Sequence, residues 1–244
     1  MQRAEIIAGL LSLYRSPRYL EIGVYNGDSF LPQRAARKVA VDPSFRFDAA
    51  AARAAHPKAE FHEVESDDYF GRLAKPGEQF DVIFIDGLHT FEQTLRDFLN
   101  ATERLATGGA IVIDDVRPSS ALAALPDWGE AARRAEAGEA WDRDWMGDVY
   151  RVLLFIDSFV QGFSFSTVAE TGSQTVVWRT PRGSVRRRDV QAIAAFAYED
   201  LAAEEAVYNL QPYAEIRRQV ARQSAGAVRG GGLGALFARG HQGR

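Results

Sequence analysis

Cysteine is absent from the 244-residue sequence, which rules out disulfides, thiolate metal sites and a cysteine nucleophile. Lysine is scarce too, found only at Lys38, Lys58 and Lys75, so arginine carries almost all the positive charge. With the abundant alanine, that bias reads as coding preference. No run approaches the roughly 20 apolar residues of a membrane-spanning helix. Residues 1–23 lack the unbroken apolar core of a secretory signal. Nor is there an excess of basic charge: the formal net charge is −4, which argues against a nucleic-acid surface. The expectation is a cytoplasmic protein with neither membrane nor nucleic acid as partner. The G-x-G-x-x-G turn that cradles a dinucleotide's pyrophosphate is missing as well, and there is no internal repeat.

What remains is an ordinary globular chain, 46% hydrophobic and 25% charged, long enough to bury a core without staples. Up to residue 115 strand-like and helix-like segments alternate. Strands are expected over 19–23, 38–41, 61–64, 80–85 and 110–113, and helices over 6–14, 29–37, 47–55, 67–74 and 90–105. FDVIFI at 80–85 is the clearest central strand, Thr90 is a ready cap for the helix after it, and Gly108-Gly109 closes that helix. Such alternation predicts an α/β fold with a mostly parallel sheet and helices on both faces. Residues 117–147 then form a long polar connection holding Trp128, Trp141 and Trp145. A helix over 148–160 follows, then a hairpin of 163–169 with 174–179, and helices over 190–220 broken near Pro212. Residues 1–222 are expected to be one domain, with 117–147 as a substrate lid and 184–222 as closing helices. The Gly/Arg-rich stretch 223–244 reads as a disordered tail. The opening helix and 190–220 suit either a cover for the site or a homodimer surface, which periodicity does not separate.

Open parallel sheets bind ligands beyond the carboxyl ends of their strands. The first strand ends in Glu21-Ile22-Gly23-Val24-Tyr25-Asn26-Gly27-Asp28-Ser29, with glycines spaced G-x-x-x-G, a tight turn suited to a ligand without phosphates. Asp42 closes the second strand 19 residues after Gly23, where an acid can accept from both hydroxyls of a ribose. Strands four and five end in Ile85-Asp86-Gly87-Leu88-His89 and Ile113-Asp114-Asp115. Adjacent strands lie about 4.8 Å apart, so Asp86, Asp114 and Asp115 should converge beside that turn. Three such carboxylates repel one another unless a cation neutralises them, and hard oxygen ligands suit Mg²⁺ or another divalent ion. His89 lies three residues past Asp86 and suits a general base, a partner of the metal site or a structural tie.

Over roughly residues 19–179, LEIGVYNGDS, Asp42 and the terminal hairpin resemble the class I S-adenosylmethionine-dependent methyltransferases. The resemblance implies a Rossmann-like seven-stranded sheet ending in an antiparallel hairpin. It implies donor contacts at Glu21, Gly23, Tyr25, Gly27, Ser29, Asp42 and Asp86, with the adenine near Glu65, Ser66 or Asp67. IDGLHTFEQTLRDF followed by GGAIVIDDV resembles a bacterial methyltransferase family with an IDG-x-H stretch, and beyond it the metal-dependent catechol and macrolide-sugar O-methyltransferases. That likeness implies a metal held by Asp86, Asp114 and Asp115, the last replacing the amide of the catechol type, and a base at His89 where that type has lysine. The expected reaction is Mg²⁺-assisted O-methylation of a small hydroxylated acceptor. Metal-independent methylation of nitrogen, a nucleotide-dependent oxidoreductase and a non-catalytic interaction protein are the alternatives. WMGDVY at 145–150 resembles a recurrent feature of the same family, with Asp148 touching metal or substrate or capping its helix.

Overall fold

Strands covered on both faces read as near-continuous apolar runs, and β4 (Phe80–Ile85) is buried along its whole length. The structure, a computed structural model, describes residues 1–141 and 144–234, the last nine by backbone alone. β4 is central in one seven-stranded sheet of order β3-β2-β1-β4-β5-β7-β6. β1 (Arg18–Ile22), β2 (Arg37–Asp42), β3 (Ala59–Glu63), β4 and β5 (Leu105–Ile113) are parallel, while β7 (Thr175–Trp178) runs antiparallel to β5 and to β6 (Ser164–Thr167). In register, Ile22 stands opposite Val41 and Ile85, and Ile85 opposite Ile113. The residues that follow these strands therefore emerge at one level of the carboxyl edge.

The period-2 alternation of β4 divides the core. Ile83 and Ile85 join the layer containing α4 (Phe91–Arg104) and α6 (Tyr150–Phe159), as does Phe80, which is set off from the alternation by a register shift before Val82. Val82 and Phe84 join the layer containing α1 (Arg3–Leu11) and α8 (Tyr213–Gly234). α4 begins where expected, with Thr90 Oγ1 accepting from Gln93 N.

Several local expectations change. No helix forms over 29–37, where the chain makes turns. Pro32 lies inside this stretch, and the buried Lys38 ammonium draws the carbonyls of Phe30, Leu31 and Gln33 to itself, oxygens a helix would have used. The 67–74 segment is a single helical turn, α3 (Ser66–Asp68), running into a π turn (Tyr69–Leu73); α2 (Ala49–Ala55) is capped by Asp48. Gly108-Gly109 does not close α4, since β5 begins directly after Arg104 and runs through both glycines. Between 117 and 147 lies α5 (Trp128–Glu136), capped by Asp127. The 190–220 stretch divides into α7 (Val190–Ala195), a 3₁₀ segment (Tyr198–Tyr208) and α8. Packing of Tyr213, Ile216 and Val220 anchors α8. From that anchor its backbone stays helical to Gly234, through the first part of the expected disordered tail. Residues 235–244 of that tail lie outside the described residues.

Candidate active site at the carboxyl edge

The strand ladder continues one residue past each strand, and this fixes the edge. Gly23 N donates to Val41 O, Asp86 N to Ile22 O and Asp114 N to Ile85 O, at 2.8–3.0 Å. β1 and β4 meet so closely here that a Cβ on Gly23, where φ is +82°, would stand 1.9 Å from the Asp86 carbonyl oxygen. Only glycine fits that position. The turn that follows carries Tyr25 outward, 64% exposed and with φ +47°, and returns through Gly27, whose N–H donates to Val24 O. Asp42 stabilises this turn: its Oδ2 accepts from Val24 N and Tyr25 N, both 2.8 Å, and its Oδ1 from Ser44 N at 2.7 Å. A carboxylate accepts about four hydrogen bonds, so one place stays open.

Glu21 is fully buried beneath the turn, taking hydrogen bonds from the Tyr19 hydroxyl and from Ser29 Oγ. Burial pushes its carboxyl up to about 8, against the pull of those two hydroxyls. At the end of β3, the Gln93 amide of α4 reaches Ser66 Oγ (3.1 Å), Asp67 Oδ1 (3.2 Å) and Asp97 Oδ1 (3.2 Å). Burial raises the Asp97 carboxyl to about 6.

The acids after β4 and β5 part company. Asp114 accepts from Gln174 Nε2 (2.5 Å), Ser173 Oγ (3.3 Å), Asp115 N (2.9 Å) and Arg3 Nη1 (3.1 Å), and so lies in a saturated pocket under the hairpin turn. Asp115 takes φ +59°, a left-handed conformation that costs about 1–2 kcal/mol. That twist turns its carboxylate to the opposite side, toward His89. Asp86, His89 and Asp115 consequently converge, with ligand atoms all within 4.8 Å of one another. His89 Nε2 stands 3.4 Å from Asp86 Oδ1 and 3.1 Å from Asp115 Oδ2. Asp86 Oδ2 is bound by Arg3 at 2.8 Å.

His89 Nδ1 lies 3.0 Å from the Trp145 carbonyl. That oxygen can only accept, so Nδ1 carries a proton and Nε2 is the nitrogen that exchanges one. Burial opposes charge on this ring, but the Asp86 hydrogen bond and the Asp115 and Asp86 charges outweigh it and raise His89 to about 9. Asp86 and Asp115 are raised in turn by burial and by the Asp114 charge.

Within the segment expected as a lid, residues 145–147 lie against this cluster. Trp145 stacks on His89 with ring centroids 5.0 Å apart, its indole N–H donating to Leu125 O, and Met146 N and Gly147 N both reach Ala123 O. Trp128 is exposed and Trp141 half-buried. Asp148 turns away from the cluster. Its Oδ1 caps α4 through Phe91 N at 2.6 Å, and its Oδ2 pairs with Arg151. Beyond Met146 a cavity of about 600 Å³ opens, lined among others by Arg117, Ser173, Tyr198, Leu201 and Tyr208. The buried Tyr208 hydroxyl has no hydrogen-bond partner among the described residues. Arg3, Gln93, Asp97 and Gln174 escape a reading of the sequence because each reaches the site from a distant element. The one local signal was for Gln93, three residues after a capping threonine.

Residues 20–116 match the model of a methyltransferase domain. No curated protein matches the sequence. Among solved structures, cofactor-bound Rv0187 from MTB has a TM-score of 0.50 at 21% identity, over 74% of this chain and 80% of that one. The O-methyltransferase TomG from Streptomyces achromogenes, solved with SAM, has a TM-score of 0.47 at 23% identity, over 73% and 79%. The O-methyltransferase from Bacillus cereus, solved with SAH, has 0.49 at 18%, over 72% and 79%. At 21% identity the likeness to Rv0187 is one of fold. The matched methyltransferase-domain stretch runs from β1 to just past β5, and the antiparallel pair β6 and β7 closes the sheet beside it.

Proposed function

We propose that the chain transfers the methyl group of S-adenosylmethionine to a hydroxyl oxygen of a small acceptor, in the cytoplasm, with a divalent cation (Mg²⁺ or a close substitute) at Asp86, His89 and Asp115. The observation that carries this reading is the convergence of those three side chains at the carboxyl edge, beside the Gly23 turn. A cytoplasmic setting accords with the lack of cysteine, and no described helix is long and apolar enough to cross a membrane.

The residues present fit both groups. For the donor, Asp42 keeps an open acceptor site at the end of β2, and Ser66, Asp67 and Gln93 offer hydroxyl, carboxylate and amide at the end of β3. For the cation, the 3.1 and 3.4 Å separations around His89 Nε2 lie near the roughly 3 Å between neighbouring ligands of a six-coordinate ion with about 2.1 Å bonds. An imidazole beside two carboxylates widens the choice toward Mn²⁺. The donor supplies an electrophilic methyl with a neutral thioether as leaving group, and the cation, when bound, supplies positive charge beside the acceptor oxygen.

The rest is the work of the chain. The turn at Gly23 and the ends of β1 and β4 hold the two reactants in line, which is the main requirement of such a displacement. Trp145 excludes water from one side of His89. Asp86 and Asp115 hold the acceptor's end of the site negative, and His89 Nε2, once it gives up the proton that these carboxylates favour, either ligates the cation or takes the hydroxyl's proton. His89→Ala separates these two roles. Loss of ion affinity marks a ligand, and loss of turnover with ion affinity kept marks a base.

Calorimetric titration of S-adenosylhomocysteine, with and without Mg²⁺, tests the proposal. One-site binding supports it, and Asp86→Asn should then lower turnover on hydroxylated acceptors by at least tenfold while donor affinity is nearly kept. No binding to folded protein overturns it.

A further inference from the structure

We infer that Arg3 is a resident cation of the acidic cluster, competing with a divalent ion for the same carboxylates and setting how tightly that ion is held. The inference rests on the cation-assisted reading above. Arg3 projects from the first turn of α1, and its Nη1 bridges Asp86 Oδ2 at 2.8 Å and Asp114 Oδ2 at 3.1 Å. Asp86 is thereby shared. One oxygen is held by the guanidinium, and the other faces the His89 side of the cluster.

The bridge is built into the fold. Ile6, Ile7 and Leu10 of α1 are fully buried. Gln33 Nε2 donates to Ala4 O at 3.1 Å, Tyr213 Oη to Ile6 O at 2.6 Å and Arg217 Nε to Gly9 O at 3.0 Å. These contacts hold the helix, so the guanidinium cannot be withdrawn by moving α1 without breaking them.

Charge then decides the outcome. Three carboxylates face one permanent guanidinium and one imidazole. With Arg3 in place, a divalent ion and a neutral His89 bring the cluster to zero net charge. Without Arg3 the same ion meets one uncompensated negative charge, and it no longer stands within a few ångströms of another cation. Even in a medium as polarisable as water, removing that repulsion at about 6 Å tightens an ion by about tenfold, and by more where the surroundings are drier. Arg3 is therefore a positioning and affinity-setting residue: it orients Asp86 toward His89 and keeps the ion exchangeable.

The test is Mn²⁺ binding to the full-length, donor-free protein, read from the loss of the free-ion electron paramagnetic resonance signal, for wild type, Arg3→Gln and Arg3→Lys. We expect Arg3→Gln to bind at least tenfold tighter than wild type and Arg3→Lys, which keeps the charge, to stay within about threefold of it. Binding only in Arg3→Gln supports the inference equally. Equal or weaker binding by Arg3→Gln overturns it and leaves the cation site standing. Equal tightening in both variants overturns it too, since packing and not charge would then be responsible. No binding in any of the three removes the inference and the cation together, while donor titration of the same samples reports separately on the methyltransferase reading. Should Arg3→Gln fail to fold, Arg3→Met, which keeps the aliphatic stem, takes its place with the same expectations.

Discussion

Gly147 lies directly against His89: a Cβ on residue 147 would stand 1.6 Å from the His89 carbonyl oxygen, at a φ of +61°. Residues 145–147 and the residue at the centre of the acidic cluster are thus in backbone contact, and Trp145 stacks on the imidazole beside it.

Gly147→Ala should therefore cost more than its left-handed conformation alone, about 1–2 kcal/mol, because backbone must also move. We expect a lower urea midpoint together with a red shift of tryptophan fluorescence as Trp145 leaves His89. A wild-type midpoint with unchanged fluorescence would show that residues 145–147 do not bear on His89.

Asp148 tests the same junction from its polar side. Its carboxylate caps Phe91 N inside the protein and holds Arg151 at 2.5 Å. Asp148→Ala leaves a buried N–H and a half-buried guanidinium without their partner, which should cost about 2 kcal/mol. Donor affinity should stay within a few fold, since no donor contact is assigned to it. A large loss of donor affinity at unchanged stability would reverse the assignment.

Glu21 gives the pH dependence. Its carboxyl is raised by burial from an ordinary 4.5 to about 8 in the folded chain. Between those values the folded state keeps a proton that the unfolded state has released, so stability is full below about pH 4.5 and falls as pH rises toward 8. Asp97, raised to about 6, acts in the same direction over a narrower range. Glu21→Gln should flatten the decline between pH 6 and 8, leaving only what Asp97 adds below that. Denaturant midpoints at four pH values decide it, and identical slopes for variant and wild type would place the proton elsewhere.

Much of this was legible in the sequence, for identifiable reasons. Buried parallel strands leave runs such as FDVIFI that few other structures produce, and whatever follows such a run falls on the carboxyl edge; that places Asp86, Asp114 and Asp42. What the pattern does not carry is side-chain direction. Asp114 and Asp115 are neighbours in sequence, yet the left-handed twist at Asp115 sends them to opposite sides, one to Gln174 and one to His89. Long-range partners are equally silent: Arg3 meets Asp114 across 111 positions and Gln174 meets it across 60. The missing helix over 29–37 is a case of tertiary demand overriding local preference, because Lys38 is buried and needs those carbonyls.

The clasp between α1 and α8 sets an order of events during synthesis. Tyr213 reaches Ile6 across 207 positions and Arg217 reaches Gly9 across 208. Two of the groups that hold α1 are thus translated more than 200 residues after it. On the ribosome, β1 to β5 can assemble with their acids already clustered and their guanidinium still loose. An acidic pocket lacking its own counter-charge is then what the nascent chain exposes until α8 clasps α1.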